Sequence, residues 1–166
     1  MKTMNKIYLS GPISGYDLDE RRRLFGKTEN CLSNNGYEVF NPLKNGLSED
    51  ALKSEHMRAD IRNLTECDAI VFLPRWEYSA GCRTEFIVAA CLKLKVFLVH
   101  DQTSSIMLSR IDVYASPDCD AIDFLPGMDV WMADGSRAGV YARMSMKSCF
   151  ALGEERSSIE LKCVDE

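Results

Sequence analysis

The sequence predicts an α/β protein of Rossmann-like (flavodoxin-like) type, a doubly wound parallel sheet over residues 1–112 followed by a β-rich C-terminal extension over residues 113–166. Three observations predict it. Short apolar strand patterns alternate with helical patterns throughout the first 100 residues, which is the signature of parallel strands joined by right-handed crossovers. One of these strands, Ala69-Ile70-Val71-Phe72-Leu73, is apolar at every position, as expected of a strand covered on both faces. The strand patterns also end in turn residues: Gly11-Pro12 after the first, Asn41-Pro42 after the second and Pro74 after the third.

The elements follow in order. Lys6–Ser10 reads as a first strand, ended by Gly11-Pro12-Ile13-Ser14-Gly15. Asp17 starts a helix with Glu20 three positions on to complete a capping box. Leu18, Phe25 and Leu32 line one face of that helix, and Gly36 suits a left-handed cap at its end. Tyr37–Phe40 is a second strand, and the polar stretch Leu43–Glu49 is a loop. A second helix, beginning at Ser48 or at Ser54, carries the apolar stripe Met57, Ile61 and Leu64. After the third strand, Ser79 caps a helix reaching about Leu94, whose Phe86–Leu92 centre is apolar all round and therefore expected to be buried. Val96–Val99 is a fourth strand.

The extension is less regular. Ser105–Ile111 is read as a short helix, and Asp134-Gly135 as the loop of a hairpin between Val130–Met132 and Val140-Tyr141. Ile159, Leu161 and Cys163 alternate with polar residues as in a half-buried strand. An added β-element, a lid and a subunit interface all remain open for this region.

Composition bounds the function. At 166 residues with 46% hydrophobic and 27% charged residues, the chain can bury a core as a soluble domain. No apolar run reaches the roughly 20 residues of a membrane helix. The N-terminus shows no secretory pattern, so a cytoplasmic location and no membrane partner are expected. A net charge of −5 argues against a nucleic-acid partner. The odd set of seven cysteines contains no C-x-x-C, so disulfides are not expected. With His56 and His100 as the only histidines, no metal site is expected either.

Ligands of such sheets bind beyond the carboxyl ends of the strands, which singles out three segments: the loop after Ser10, the loop after Leu73 and the start of the helix at Ser79. The loop Ser10-Gly11-Pro12-Ile13-Ser14-Gly15 joins a strand to a helix N-terminus, with Arg21, Arg22 and Arg23 one turn later. Free N–H groups there favour an anion such as phosphate, although a plain tight turn beside a solvated basic face explains the same residues. In Ser79-x-Gly81-x-x-x-Glu85, Gly81 weakens the first helical turn by roughly 1 kcal/mol relative to Ala, which suggests a close approach to its backbone. Glu85 borders an apolar run, where a charge is costly unless paired or functional; Arg83 is the candidate neutralising partner. Asp60 borders the second helix's apolar stripe and has Arg58 and Arg62 as possible partners. Tyr8, in the first strand, is by default a core residue.

Taken together, Ile7-Tyr8-Leu9-Ser10-Gly11-Pro12, Asp60-x7-Asp68-Ala69-Ile70-Val71 and Ser79-x-Gly81-x3-Glu85 resemble the nucleoside 2-deoxyribosyltransferase superfamily, and within it the 2′-deoxynucleoside 5′-phosphate N-hydrolase-like proteins, over residues 6–112. The resemblance implies cleavage of the N-glycosidic bond of a (deoxy)nucleoside 5′-monophosphate. It implies Glu85 as nucleophile, Tyr8 as its orienting partner and Asp60 as the second acidic residue assisting base departure or positioning the sugar. Ser79 stands where the free-nucleoside transferases carry an acid, which implies a 5′-phosphate site. Ser109 falls where the hydrolases supply a serine across a homodimer interface. The loop Ser10–Gly15 is less basic than its counterpart in the hydrolases, which shifts the expected phosphate contact to Arg21 or Arg22. No metal or organic cofactor is implied. A deoxyribosyltransferase and a noncatalytic nucleotide-sensing module are the alternative readings.

Overall fold

The computed structural model of the chain describes residues 5–115, 128–131, 137–141 and 150–163. Its elements run β1 (Lys6–Ser10), α1 (Leu18–Asn34), β2 (Glu38–Phe40), α2 (Lys53–Leu64), β3 (Ala69–Phe72), α3 (Ala80–Cys91), β4 (Lys95–Asp101), β5 (Ser105–Ala115), β6 (Met128–Trp131), β7 (Arg137–Tyr141) and β8 (Phe150–Lys162). A six-stranded sheet has the order β2-β1-β3-β4-β5-β8. β2, β1, β3 and β4 are mutually parallel, and β5 runs antiparallel to β4. The molecule is thus a Rossmann-like α/β fold whose 2-1-3-4 start is flavodoxin-like. Its strand order reverses between β1 and β3, the place where such sheets take ligands.

Strand periodicity distributes the side chains between two faces. Ile7, Leu9, Ala69, Val71 and Leu73 join Leu24, Phe25, Cys31 and Leu32 of α1 in one buried cluster. Alternate residues therefore point to the opposite face. There Tyr8 stacks on Phe40, and Phe72 packs against Trp76 and Phe86. This second face is the one covered by α3, which contacts α2. Tyr8 and Ser10 consequently project toward the helix that carries Glu85.

Local chemistry explains the helix ends. Asp17 accepts the Glu20 N–H at 2.8 Å and so caps α1, while the Glu20 carboxylate turns to Arg21 rather than completing the box. Gly36, at φ +91°, ends the helix as expected. α2 begins at Lys53, after neither serine; the Leu52 N–H donates to the Glu55 carboxylate at 2.8 Å and supplies the cap. Ser79 caps α3 by accepting the Cys82 N–H at 3.3 Å. α3 stops at Cys91 instead of Leu94, and its apolar centre is not buried all round, since Ile87 and Leu92 lie about half exposed. A one-sided sheet contact leaves a helix this apolar with one uncovered face.

The region after β4 differs most from expectation. Ser105–Ile111 is strand rather than helix. It pairs with β4 through Leu98↔Ser109 and Val96↔Ile111, because Ile106 and Leu108 alternate into the sheet core. The extension is also divided. Met1–Asp112 with Glu154–Glu166 forms one compact unit, and Val113–Gly153 forms another. Within the second unit, β6 and β7 form an antiparallel pair at the expected hairpin; Asp134-Gly135 lies outside the described residues. In β8, Leu161 is buried as expected but Ile159 is exposed.

One disulfide corrects the cysteine reading: Cys31 of α1 is bonded to Cys163, 132 residues away. Leu161, two residues before Cys163, packs in the same cluster as Cys31, so β8 brings the second thiol to the α1 face. Nothing in the spacing of the cysteines reveals this, because the contact exists only once β8 has joined the sheet. Cys67, Cys82 and Cys91 are free.

Candidate active site

A cleft of about 920 Å³ opens at the carboxyl ends of β1 and β3. Its wall is built from the βα loop Gly11–Ser14, the start of α3 at Ser79–Cys82, and the inner faces of α2 and α3. Glu85 and Asp60 both line it, and both are largely buried, 6% and 9% exposed. Two largely buried carboxyl groups from different helices therefore line one cleft.

Burial governs their electrostatics. Glu85 is pushed up to about 8, chiefly by desolvation and further by the nearby Asp60 charge, while the Ser10 and Tyr8 hydroxyls pull it down. Desolvation also raises Asp60, against the Asn45 hydrogen bond and the neighbouring His56. Tyr8 is fully buried, and its phenol is raised by burial and by the Glu85 charge, so it stays a hydroxyl donor. The Tyr8 hydroxyl, the Ser10 hydroxyl and Glu85 Oε2 are buried without a hydrogen-bond partner among the described residues. The two hydroxyls thus lie near enough to act on the Glu85 charge without meeting hydrogen-bond geometry, an arrangement common in unliganded sites. Orphaned buried polar atoms are costly unless something else completes them.

Among the described residues, neither Glu85 nor Asp60 forms an ion pair with the arginines near it in sequence. Arg83 Nη1 donates to the Glu77 carbonyl at 3.1 Å. Asp60 accepts from Asn45 Nδ2 at 3.1 Å, from a loop that reads as featureless in the sequence. The close approach at Gly81 comes from within the chain, because a Cβ there would stand 3.3 Å from Met57 Cε. Gly11 is tighter still, its missing Cβ 3.0 Å from Leu73 and Phe25. Asp68 holds the start of β1, accepting from the Asn5 and Lys6 N–H groups at 3.2 Å.

Other expected site residues are placed as follows. Gly11, Pro12, Ile13, Ser14, Ser79 and Gly81 line the cleft with the two acids. Ser10 lies buried under it, and Gly15 makes the left-handed turn into α1. Arg21 does not line the cleft: it is buried, stacked 4.8 Å from the Tyr16 ring centroid and paired with Glu20 at 3.0 Å. Its neighbour Arg22 does line the cleft, bridging to Asp19 and Glu49. Ser109 is buried on β5 and does not line this chain's cleft. Among the described residues no cluster of three metal-ligating side chains occurs, and no helix is long and apolar enough to cross a membrane.

A family model described as a domain of unknown function, DUF4406, matches residues 5–98, more than half of the chain. The chain belongs to the DUF4406 family. The matched span holds Tyr8, Asp60, Ser79, Glu85 and every residue lining the cleft, so the site is a feature of the DUF4406 portion and not of the region after it. A search of curated proteins finds none that matches. Solved structures similar to this DUF4406 chain include a 2-deoxyribosyltransferase from the psychrotolerant bacterium Bacillus psychrosaccharolyticus, 22% identical over 56% of this chain and 70% of that one, with a TM-score of 0.46. Others are the CMP N-glycosidase BcmB of Clostridium botulinum (19% identity, 57% and 67% coverage, TM-score 0.41) and a conserved protein from Enterococcus faecalis V583 (25%, 58% and 63%, TM-score 0.46).

Proposed function

We propose that this protein hydrolyses the N-glycosidic bond of a (deoxy)nucleoside 5′-monophosphate, with Glu85 as nucleophile. The observation that carries the reading is a buried carboxyl group with an orphaned oxygen, Glu85 Oε2, in a cleft shared with a second carboxyl group. A purely structural acid would be paired; this one is held ready for a partner that arrives with the ligand.

The chemistry follows from the two environments. The ionised Glu85 carboxylate attacks C1′ of the sugar, and the C1′–N bond breaks with its electron pair leaving on the base. Positive charge developing at the sugar stabilises the Glu85 anion, while the Ser10 and Tyr8 hydroxyls close onto it. Asp60, whose proton affinity burial raises, takes the proton that Glu85 gives up as the ligand binds and passes it to the departing base, a contribution of typically ~10²–10⁴-fold. Water then hydrolyses the glycosyl ester, its hydroxyl adding to C1′ and its proton returning to Asp60, which releases the sugar 5-phosphate and restores Glu85. The 5′-phosphate sits against the α3 N-terminus, where Ser79 accepts the Cys82 N–H and keeps its own proton to donate. Arg22, not Arg21, is the guanidinium positioned to help. The reaction so written needs no cofactor. A homodimer in which Ser109 reaches the neighbouring phosphate site, and action on cytoplasmic nucleotides, complete the proposal.

Incubation with ribo- and deoxyribonucleoside monophosphates and the matching nucleosides, followed by chromatography for free base, tests this. Base release from monophosphates that disappears in Glu85→Ala supports it. Tight nucleotide binding without release replaces it with a sensing role, and release only in the presence of an acceptor base replaces it with transfer.

A further inference from the structure

We propose that Asn45 is a positioning residue for Asp60, held in place by a hydrogen-bond chain that runs through His56 to the Ser48 carbonyl. Its catalytic consequence rests on the glycosidase reading above, whereas its geometry stands independently.

Asn45 lies between the short turn Pro42–Lys44 and α2 and lines the cleft. Its Oδ1 accepts the Leu47 backbone N–H at 3.1 Å. A backbone N–H can only donate, so this contact fixes which end of the amide is oxygen. The NH₂ end therefore faces the other way, with Nδ2 at 3.1 Å from Asp60 Oδ1 and 3.0 Å from His56 Nδ1. Its two hydrogens serve one acceptor each. His56 Nδ1 must then be unprotonated, which puts the ring proton on Nε2, and Nε2 lies 3.1 Å from the Ser48 carbonyl. One unambiguous donor thus determines every role along the chain from Leu47 to Ser48.

The Leu47 contact alone is an ordinary side-chain turn and would serve only the loop. The other two bonds reach 11 residues along the chain to His56 and 15 residues to a buried acid in the cleft. With Oδ1 engaged by Asn45, the proton that Asp60 delivers resides on Oδ2, which fixes the direction of delivery. Asp60 is faced electrostatically by His56, by Glu85 and by the Tyr8 hydroxyl; Asn45 is the neutral group that orients it among them. Removing the Asn45 donor frees the carboxyl to rotate and raises its proton affinity.

The test begins on the intact protein labelled with ¹⁵N, in which His56 and His100 are the only histidines and His100→Gln gives the assignment. The expected result is a neutral His56 protonated at Nε2, with a ¹⁵N–¹⁵N coupling through the hydrogen bond to Asn45 Nδ2. A proton on Nδ1, or no coupling, overturns the chain. Asn45→Ala, and Asn45→Asp as the variant that keeps the Leu47 contact, should move the Asp60 carboxyl midpoint upward by ¹³C NMR. An unmoved midpoint in both overturns the positioning role, whether or not the wild type releases base. With base release established, both variants should lower kcat at least about tenfold with KM within about twofold; unchanged kcat contradicts the role.

Discussion

Replacing Glu85 by Gln should stabilise the protein while abolishing its chemistry. The Glu85 carboxyl titrates near 4.5 in the unfolded chain and near 8 in the fold, where burial disfavours its charge. Below 4.5 both states hold the proton and the difference has no effect. Between 4.5 and 8 the unfolded state gives up a proton that the folded state keeps, so stability falls by about 1.4 kcal/mol per pH unit. Above 8 both states are ionised and the loss levels off at about 5 kcal/mol. Gln keeps the shape of the protonated acid and has no charge to desolvate. The variant should therefore exceed the wild type by about 1 kcal/mol at pH 5 and about 4 kcal/mol at pH 8. Urea unfolding followed by tryptophan fluorescence at the two pH values measures this directly, because titrations of groups away from Glu85 cancel between the two proteins. An equal difference at both pH values, or a less stable Glu85→Gln at pH 8, refutes the reasoning that Glu85 is held in the fold at the expense of stability.

Three further outcomes follow from separate contacts. Ser79→Asp keeps an effective N-cap and should leave stability within about 0.5 kcal/mol, yet it should cut turnover of monophosphates about 100-fold by repelling the phosphate; kinetics on a monophosphate and its nucleoside check it. Gly11→Ala drives a Cβ to 3.0 Å from Leu73 and Phe25 and should cost about 1–3 kcal/mol in denaturant unfolding. Cys31→Ser removes a cross-link between residues 132 apart; by chain entropy alone it should destabilise the oxidised protein by about 4–5 kcal/mol, and non-reducing peptide mapping of the wild type should find the Cys31 and Cys163 peptides joined.

The parallel half of the fold was legible because its signals are local. Ala69–Leu73 is apolar at every position, Asp17 and Ser79 cap the helices they precede, and Gly36 ends α1. The apolar residues of Ser105–Ile111 fit a helical stripe as well as a strand, and only the neighbouring β4 decides between them. The disulfide and the return of residues 154–163 to the first unit depend on contacts across more than 100 residues, which no local pattern records. In the site, Glu85 was visible as an acid at the edge of an apolar run. Asn45 and His56 were not, since their roles arise from a loop folding back on α2. An Asn-Gly pair facing a helix that carries His and Asp on one side was the available signal. Arg21 and Arg22 differ by one position, and only the helical rotation of α1 assigns the cleft to Arg22.

The central claim is that Glu85 forms a glycosyl ester. The most direct measurement treats the protein with a 2′-fluoro analogue of its best monophosphate substrate, in which the fluorine slows hydrolysis of the ester, and follows intact mass and peptide mapping. The account predicts a gain of one sugar-phosphate unit per chain, confined to the peptide containing Glu85 and lost in Glu85→Gln. Stoichiometric base release with an adduct on another residue, or with no adduct at any time, would contradict it.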